Sequence, residues 1–138
     1  MTTIIPKLLI VDDNDVMRTL LRGLLRNEES FNIVGEARNG LAAIEMVERV
    51  RPDIVCLDVV MPEMDGLEAL QEIKRMRPET VVIMVTGNAS KENVHDALDF
   101  GAAGFVVKPF NAATVIDTIS RAWQVAQRKA RHGATTAQ

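Results

Sequence analysis

Five short β-branched runs, each followed by a longer stretch of helical periodicity, constrain this chain more than any other feature. The runs are "KLLIV" (Lys7–Val11), "FNIVGEA" (Phe31–Ala37), "DIVCL" (Asp53–Leu57), "TVVIMV" (Thr80–Val85) and "GFVVK" (Gly104–Lys108). Most are almost continuously apolar, the pattern of strands covered on both faces. Between them apolar residues recur at helical spacing: Val16, Leu20 and Leu24, broadened by Met17, Leu21 and Leu25; Leu41, Ile44 and Val47; Leu67, Leu70 and Ile73; Val94, Ala97 and Leu98. A longer fifth stripe follows at Val115, Ile119, Ala122 and Ala126, with Ile116 and Trp123 on the same side. Arg51-Pro52-Asp53 and Arg77-Pro78-Glu79 each close a helix before a strand, and Gly101 lies just past the fourth helix. Strict β-α alternation implies an α/β fold, a five-stranded parallel sheet with helices on both faces.

The first run leads straight into carboxylates, in "LLIVDDND" (Leu8–Asp15). Acidic groups packed at the edge of a core repel one another and lose hydration, so something must compensate. In a parallel α/β sheet ligands bind outside the carboxyl ends of the strands, where the winding reverses. The residues just past those ends are Asp12 and Asp13, then Asp58, Thr86 and Lys108. Only the second strand, followed by Asn39-Gly40, offers nothing reactive.

Length and charge set the remaining bounds. A chain of 138 residues is one ordinary domain with one core. Its opening residues lack a basic leader and read as a first strand, and no apolar run could span a bilayer. The lone Cys56 excludes an internal disulfide and reads as a small buried hydrophobe in a cytoplasmic protein. A net charge of −3 gives no bulk attraction to nucleic acid or anionic lipid. No acid appears after Asp117, while Arg121, Arg128, Lys129 and Arg131 do, as suits cations near a helix C-terminus; an anion-binding tail is the other reading. The domain is expected to span 1–128, with 129–138 a polar, flexible tail.

Three carboxylates, a hydroxyl and an ammonium suit a hard divalent cation beside a phosphoryl group. Phosphoryl transfer asks a protein for charge neutralisation and in-line positioning, and a carboxylate such as Asp58 can be the nucleophile. Each member has a plainer reading. Asp12, Asp13 or Asp15 alone reads as a helix N-cap, Thr86-Gly87 as a turn and Lys108-Pro109 as a loop entry. Their joint placement at successive strand ends carries the chemical reading.

The segments "LIVDD" (Leu9–Asp13), "CLDVVMPEMDGLEAL" (Cys56–Leu70), "IMVTGNASKENV" (Ile83–Val94) and "GAAGFVVKPF" (Gly101–Phe110) are specific in combination. They resemble the receiver domain of two-component response regulators, most closely the single-domain, CheY-like chemotaxis type, over about Lys7 to Gln127. The resemblance implies a doubly wound, flavodoxin-like sheet with strand order 2-1-3-4-5. It implies that Asp58 is the phosphoacceptor, charged from a phosphohistidine on a sensor histidine kinase or a histidine phosphotransfer protein. Mg²⁺ would be held by Asp12, largely through water, by Asp13 and Asp58, and by the backbone carbonyl of Val60. Lys108 would pair with Asp58 and then with the phosphoryl group, and the Lys108–Pro109 peptide would be cis. Such a domain is a phosphoacceptor, not a turnover enzyme.

The resemblance also supplies a switch: Thr86 moves to the phosphoryl group, and Phe105 fills the vacated space. Phe stands where the chemotaxis protein has Tyr, and exposing its ring costs more apolar area, so an inward rotamer is expected. A core aromatic without a switching role is the alternative. The readout face is expected on the fourth helix, fifth strand and fifth helix, where Lys91, His95 and Asp99 share helical spacing; His95 reads as a surface polar residue. Val60 and Asn88 replace a polar and an acidic residue of the chemotaxis pattern, which implies a long phosphoryl lifetime. Gly87 replaces the usual Ala, loosening its loop. A haloacid-dehalogenase-type phosphatase would need a general-acid Asp where Val60 stands, and "VDDND" would repel a flavin phosphate. The remaining alternatives are a receiver fragment of a longer regulator with a transcriptional output domain, and a degenerate interaction module, which the intact acidic set disfavours.

Overall fold

The computed structural model describes residues 5–87 and 90–136. Elements alternate as expected: β1 (Lys7–Val11), α1 (Asp15–Arg26), β2 (Asn32–Ala37), α2 (Gly40–Val50), β3 (Ile54–Leu57), α3 (Gly66–Met76), β4 (Val81–Thr86), α4 (Lys91–Asp99), β5 (Gly104–Val107) and α5 (Ala112–Thr136). All pairings are parallel and the order is β2-β1-β3-β4-β5. A register shift between Leu8 and Leu9 against β2 is the one irregularity in the described pairings.

Side chains alternate across each strand, so two cores form on opposite faces of the sheet. Leu9, Val11, Val55, Leu57, Val82 and Met84 point toward α2, α3 and α4 and meet Val47, Leu70 and Ile73. Leu8, Ile10, Ile54, Cys56, Ile83 and Val106 point toward α1 and α5 and meet Leu21, Leu25, Val115 and Ile119. Full burial of one such side chain contributes about 1.5–3 kcal/mol, and most strand positions here are fully buried. Cys56 belongs to the second core, and burial pushes its thiol up to about 12.

In three helices the sheet takes only part of the expected stripe. In α1 the buried residues are Leu21 and Leu25, while Val16 is 74% and Leu20 46% exposed. In α2 Gly40, Ala43 and Val47 are buried and Leu41 is exposed; in α4 Ala97 is buried and Leu98 exposed. In each case two adjacent rows are apolar, and periodicity alone does not say which one the sheet takes. The expected boundary at residue 128 is not a break either. Helix α5 runs through Thr136, and Arg128, Lys129, Ala130 and Arg131, all strong helix formers, carry it across that position.

Helix starts place the loops that matter. Asn14, not Asp12 or Asp13, caps α1, its side chain accepting from Met17 N at 3.1 Å. Asn39, Asp65 and Ser90 cap α2, α3 and α4 in the same way. The two carboxylates after β1 are therefore free of capping duty.

Candidate functional site

Strand ends β1, β3, β4 and β5 deliver Asp12, Asp58, Thr86 and Lys108 to one rim of the sheet. Hydrogen bonds between strands pin each approach. Asp12 N donates to Ala37 O (3.1 Å), Asp58 N to Val11 O (3.1 Å) and Lys108 N to Thr86 O (2.9 Å). Asp12, Asp58 and Thr86 are buried, whereas Asp13 is exposed at the mouth.

Lys108 bridges the two buried carboxylates. Its Nζ donates to Asp12 Oδ2 at 2.7 Å and to Asp58 Oδ2 at 3.3 Å. The expected pairing with Asp58 is thus present, and a shorter one to Asp12 stands beside it. Asp58 Oδ1 accepts from Val59 N at 2.8 Å, and the Thr86 hydroxyl also donates to the Asp58 carboxylate. Burial raises the pKa of Asp58, the bonds from Thr86 and Lys108 lower it, and nearby Asp12 raises it again; the net direction is upward. Burial pulls the Lys108 ammonium down, but Asp12 and Asp58 outweigh it and hold its pKa above the ordinary value.

The donor set fits a hard dication. Asp12, Asp13 and Asp58 each offer a carboxylate oxygen, all within 4.8 Å of one another. Two unit charges at that separation repel by roughly 3 kcal/mol at the effective dielectric of a protein rim, and one Lys108 ammonium faces three carboxylates. All-oxygen donors with one exposed member leave room for water and a phosphoryl oxygen, as Mg²⁺ prefers.

The loop after β3 covers this pocket. Gly66 ends it, and the reason this residue must be glycine is space. A Cβ there would stand 1.8 Å from Asp58 O, and Gly66 N already donates to Val59 O at 2.6 Å. Val60 lies on the rim with its side chain 57% exposed. Asn88 lies outside the described residues. The Lys108–Pro109 peptide is cis, as the resemblance implies.

Among the other expected residues, Phe105 is half-buried and packs against the core beneath α4. Lys91, His95 and Asp99 are exposed, and His95 Nε2 lies 3.2 Å from Asp99 Oδ2. An exposed pair of this kind contributes little. Two residues near the site escaped the sequence reading. Asn14 N donates to Asp12 Oδ1 at 2.9 Å, and Arg18 Nη1 donates to Asp12 O at 2.7 Å. The spacing of Asp15 and Arg18 was the one available signal for the second.

The family model for the response regulator receiver domain matches residues 8–120. The chain belongs to the response regulator receiver family. The chemotaxis protein CheY of Listeria monocytogenes is 46% identical over 116 residues, which cover 84% of this receiver and 97% of that protein. The solved CheX–CheY–BeF₃–Mg²⁺ complex from Borrelia burgdorferi contains a similar chain: TM-score 0.81 at 33% identity, over 85% of this receiver and 88% of that chain. A CheY-like receiver from Methanospirillum hungatei matches with TM-score 0.85 at 26% identity, over 91% and 99%. Among the described residues no helix of this receiver is long and apolar enough to cross a membrane.

Proposed function

We propose that this receiver takes a phosphoryl group onto Asp58 from a phosphohistidine on a sensor histidine kinase or a histidine phosphotransfer protein. One observation carries the reading: Lys108 bridges Asp12 and Asp58 while Asp13 closes the same carboxylate cluster. Asp12, Asp13, Asp58 and the Val60 carbonyl would hold Mg²⁺. When bound, the metal supplies positive charge to the phosphoryl oxygens. An Asp58 carboxylate oxygen attacks phosphorus, the phosphorus–nitrogen bond to the donor imidazole breaks, and the imidazole leaves with its electron pair. Val59 N and the Thr86 hydroxyl hold the carboxylate in place during attack. Lys108 then donates to the phosphoryl group instead of to Asp58. The presence of BeF₃ and Mg²⁺ together in the solved complex of a relative supports this division of labour.

Exposed apolar side chains stand in the first turns of α1 and α2 and in the loop after β3, at Val16, Leu41 and Val60, and they would give a donor protein a surface to seat its histidine against. On the neighbouring edge, Val107 of β5 and Leu98 of α4 are exposed beside half-buried Phe105. The face formed by α4, β5 and α5 is our choice for the downstream protein target. Phosphorylation shifts Thr86, Phe105 follows, and the face changes.

Incubation of the intact protein with a small phosphodonor and Mg²⁺ tests the acceptor. A single phosphoryl adduct should appear by mass spectrometry and vanish in Asp58→Asn or with a chelator. A full-strength adduct on Asp58→Asn moves the acceptor elsewhere and overturns the assignment.

A further inference from the structure

Arg18 is absent from the strand-end constellation, yet it grips the loop that carries it. Its side chain is only 12% exposed and its donors fan out to three acceptors. Nη1 donates to the main-chain oxygen of Asp12 at 2.7 Å, Nε to Glu36 Oε1 at 3.3 Å, and Nη2 pairs with Asp15 Oδ1. Glu36, on β2, is fixed in turn by Arg22 Nη1 at 2.7 Å.

We infer that Arg18 is a positioning residue: by holding the Asp12 carbonyl it sets the direction in which Asp13 enters the acidic pocket. The argument is geometric. The Asp12 carbonyl oxygen belongs to the peptide plane joining Asp12 to Asp13, so fixing it fixes where Asp13 departs from the chain. Asp12 is already pinned by Ala37 O, Asn14 N and Lys108, but Asp13 is exposed and follows immediately. A guanidinium suits the task because its planar fork aims donors from three separate nitrogens at three spread acceptors, whereas the three donors of a lysine share one nitrogen. Two guanidiniums and two carboxylates cancel in the cluster, so the loop is held without a net positive charge beside a dication site.

This inference rests on the metal-assisted phosphoacceptor reading, and two measurements separate its failure from that of the reading. The first is Mg²⁺ titration by calorimetry of the full chain, as wild type, Arg18→Ala, Arg18→Lys and Arg22→Ala. Removing a cation near a dication site tightens binding on Coulomb grounds. Loss of positioning weakens it. We expect Arg18→Ala to weaken Mg²⁺ about tenfold, Arg18→Lys to fall between, and Arg22→Ala, which leaves the Asp12 contact in place, to bind as wild type does. The second measurement is amide hydrogen exchange in metal-free protein, with thermal unfolding in parallel. Exchange at Asn14, whose N–H is bonded to Asp12 Oδ1, should accelerate at least tenfold in Arg18→Ala and not in Arg22→Ala.

Unchanged or tighter Mg²⁺ binding in folded Arg18→Ala overturns the inference, as does equal weakening in Arg22→Ala. Absence of Mg²⁺ uptake by wild type overturns the metal-assisted reading instead. The exchange arm then still decides for Arg18: unaltered protection at Asn14 removes it as the holder of this loop.

Discussion

The ammonium of Lys108 lies 2.7 Å from Asp12 Oδ2, across 96 residues of sequence, and so sits closer to Asp12 than to Asp58. In the metal-free protein this one cation does part of a dication's work, offsetting two buried carboxylates. On the proposed reading Lys108 and Mg²⁺ would compete for the same negative charge even though both would serve the same transfer.

Lys108→Met should therefore bind Mg²⁺ more tightly than wild type, by several-fold to about tenfold, since a tenfold change needs only ~1.4 kcal/mol. Phosphorylation by a small donor should nonetheless slow, because one partner of the phosphoryl oxygens is gone. Calorimetric titration and intact-mass time courses check the two halves. Weaker Mg²⁺ binding in the variant would show that Lys108 organises the carboxylates more than it competes for them.

Asp58 has a folded pKa above its ordinary value of 3.8, chiefly from burial. A carboxyl with a raised folded pKa favours the fold when protonated and opposes it once ionised. Its favourable contribution is complete below the unfolded pKa and is lost as pH rises through the folded one. Asp58→Asn, which mimics the neutral carboxyl, should then be more stable than wild type at neutral pH without metal, by a few degrees in Tm, where ~1 kcal/mol corresponds to roughly 2–8 °C. The advantage should shrink as pH falls toward 3.8 and the wild-type group protonates. Saturating Mg²⁺ should raise the wild-type Tm by mass action and reverse the order. Equal melting temperatures across the pH series would show that Lys108 and Thr86 cancel the desolvation cost.

Strand ends were legible in the sequence because a buried parallel strand is an apolar run with a visible end, and the first polar residue past it lies at the rim. Asp12, Asp58, Thr86 and Lys108 were found that way. The helices were less legible. In "DVMRTLLRGLL" two adjacent rows are apolar, and the choice of Leu21 and Leu25 over Val16 and Leu20 depends on where α1 crosses the sheet. The Arg18–Glu36 pair was invisible for a different reason: it joins α1 to β2, and each partner alone is an unremarkable surface charge. Glycine at 66 could be read as special, but whether angle or space demanded it required the backbone of Asp58 to be in place.

Gly66→Ala follows from that last point. Its new Cβ would meet the Asp58 carbonyl oxygen at 1.8 Å, a distance no rotamer can relieve, so the chain must move at the proposed acceptor itself. Overpacking of backbone against backbone should destabilise by about 1–3 kcal/mol and lower the phosphorylation rate at saturating Mg²⁺ and donor. Chemical denaturation measures the first effect and the intact-mass time course the second. A variant with wild-type stability would mean that α3 shifts outward at little cost. In that case the loop over the pocket is softer than its hydrogen bond from Gly66 N to Val59 O suggests.

Val60 stands on the rim with most of its side chain in solvent, two residues past Asp58, the acceptor we propose. Hydrolysis of an aspartyl phosphate requires a water in line with the phosphorus–oxygen bond to Asp58; that bond breaks and the carboxylate returns. An isopropyl group at the approach offers the water no hydrogen-bond partner, so its in-line position is held only by what else the rim provides. Val60→Asn keeps the main-chain carbonyl, and with it the ligand proposed for the metal, while adding a donor and an acceptor on the water's path. The phosphoryl lifetime should shorten several-fold while Mg²⁺ affinity stays as in wild type. The check is to phosphorylate with a small donor, remove it by rapid desalting, and follow the adduct by mass against time. An unchanged lifetime at unchanged metal affinity would place control of the water elsewhere on the rim and take Val60 out of that role.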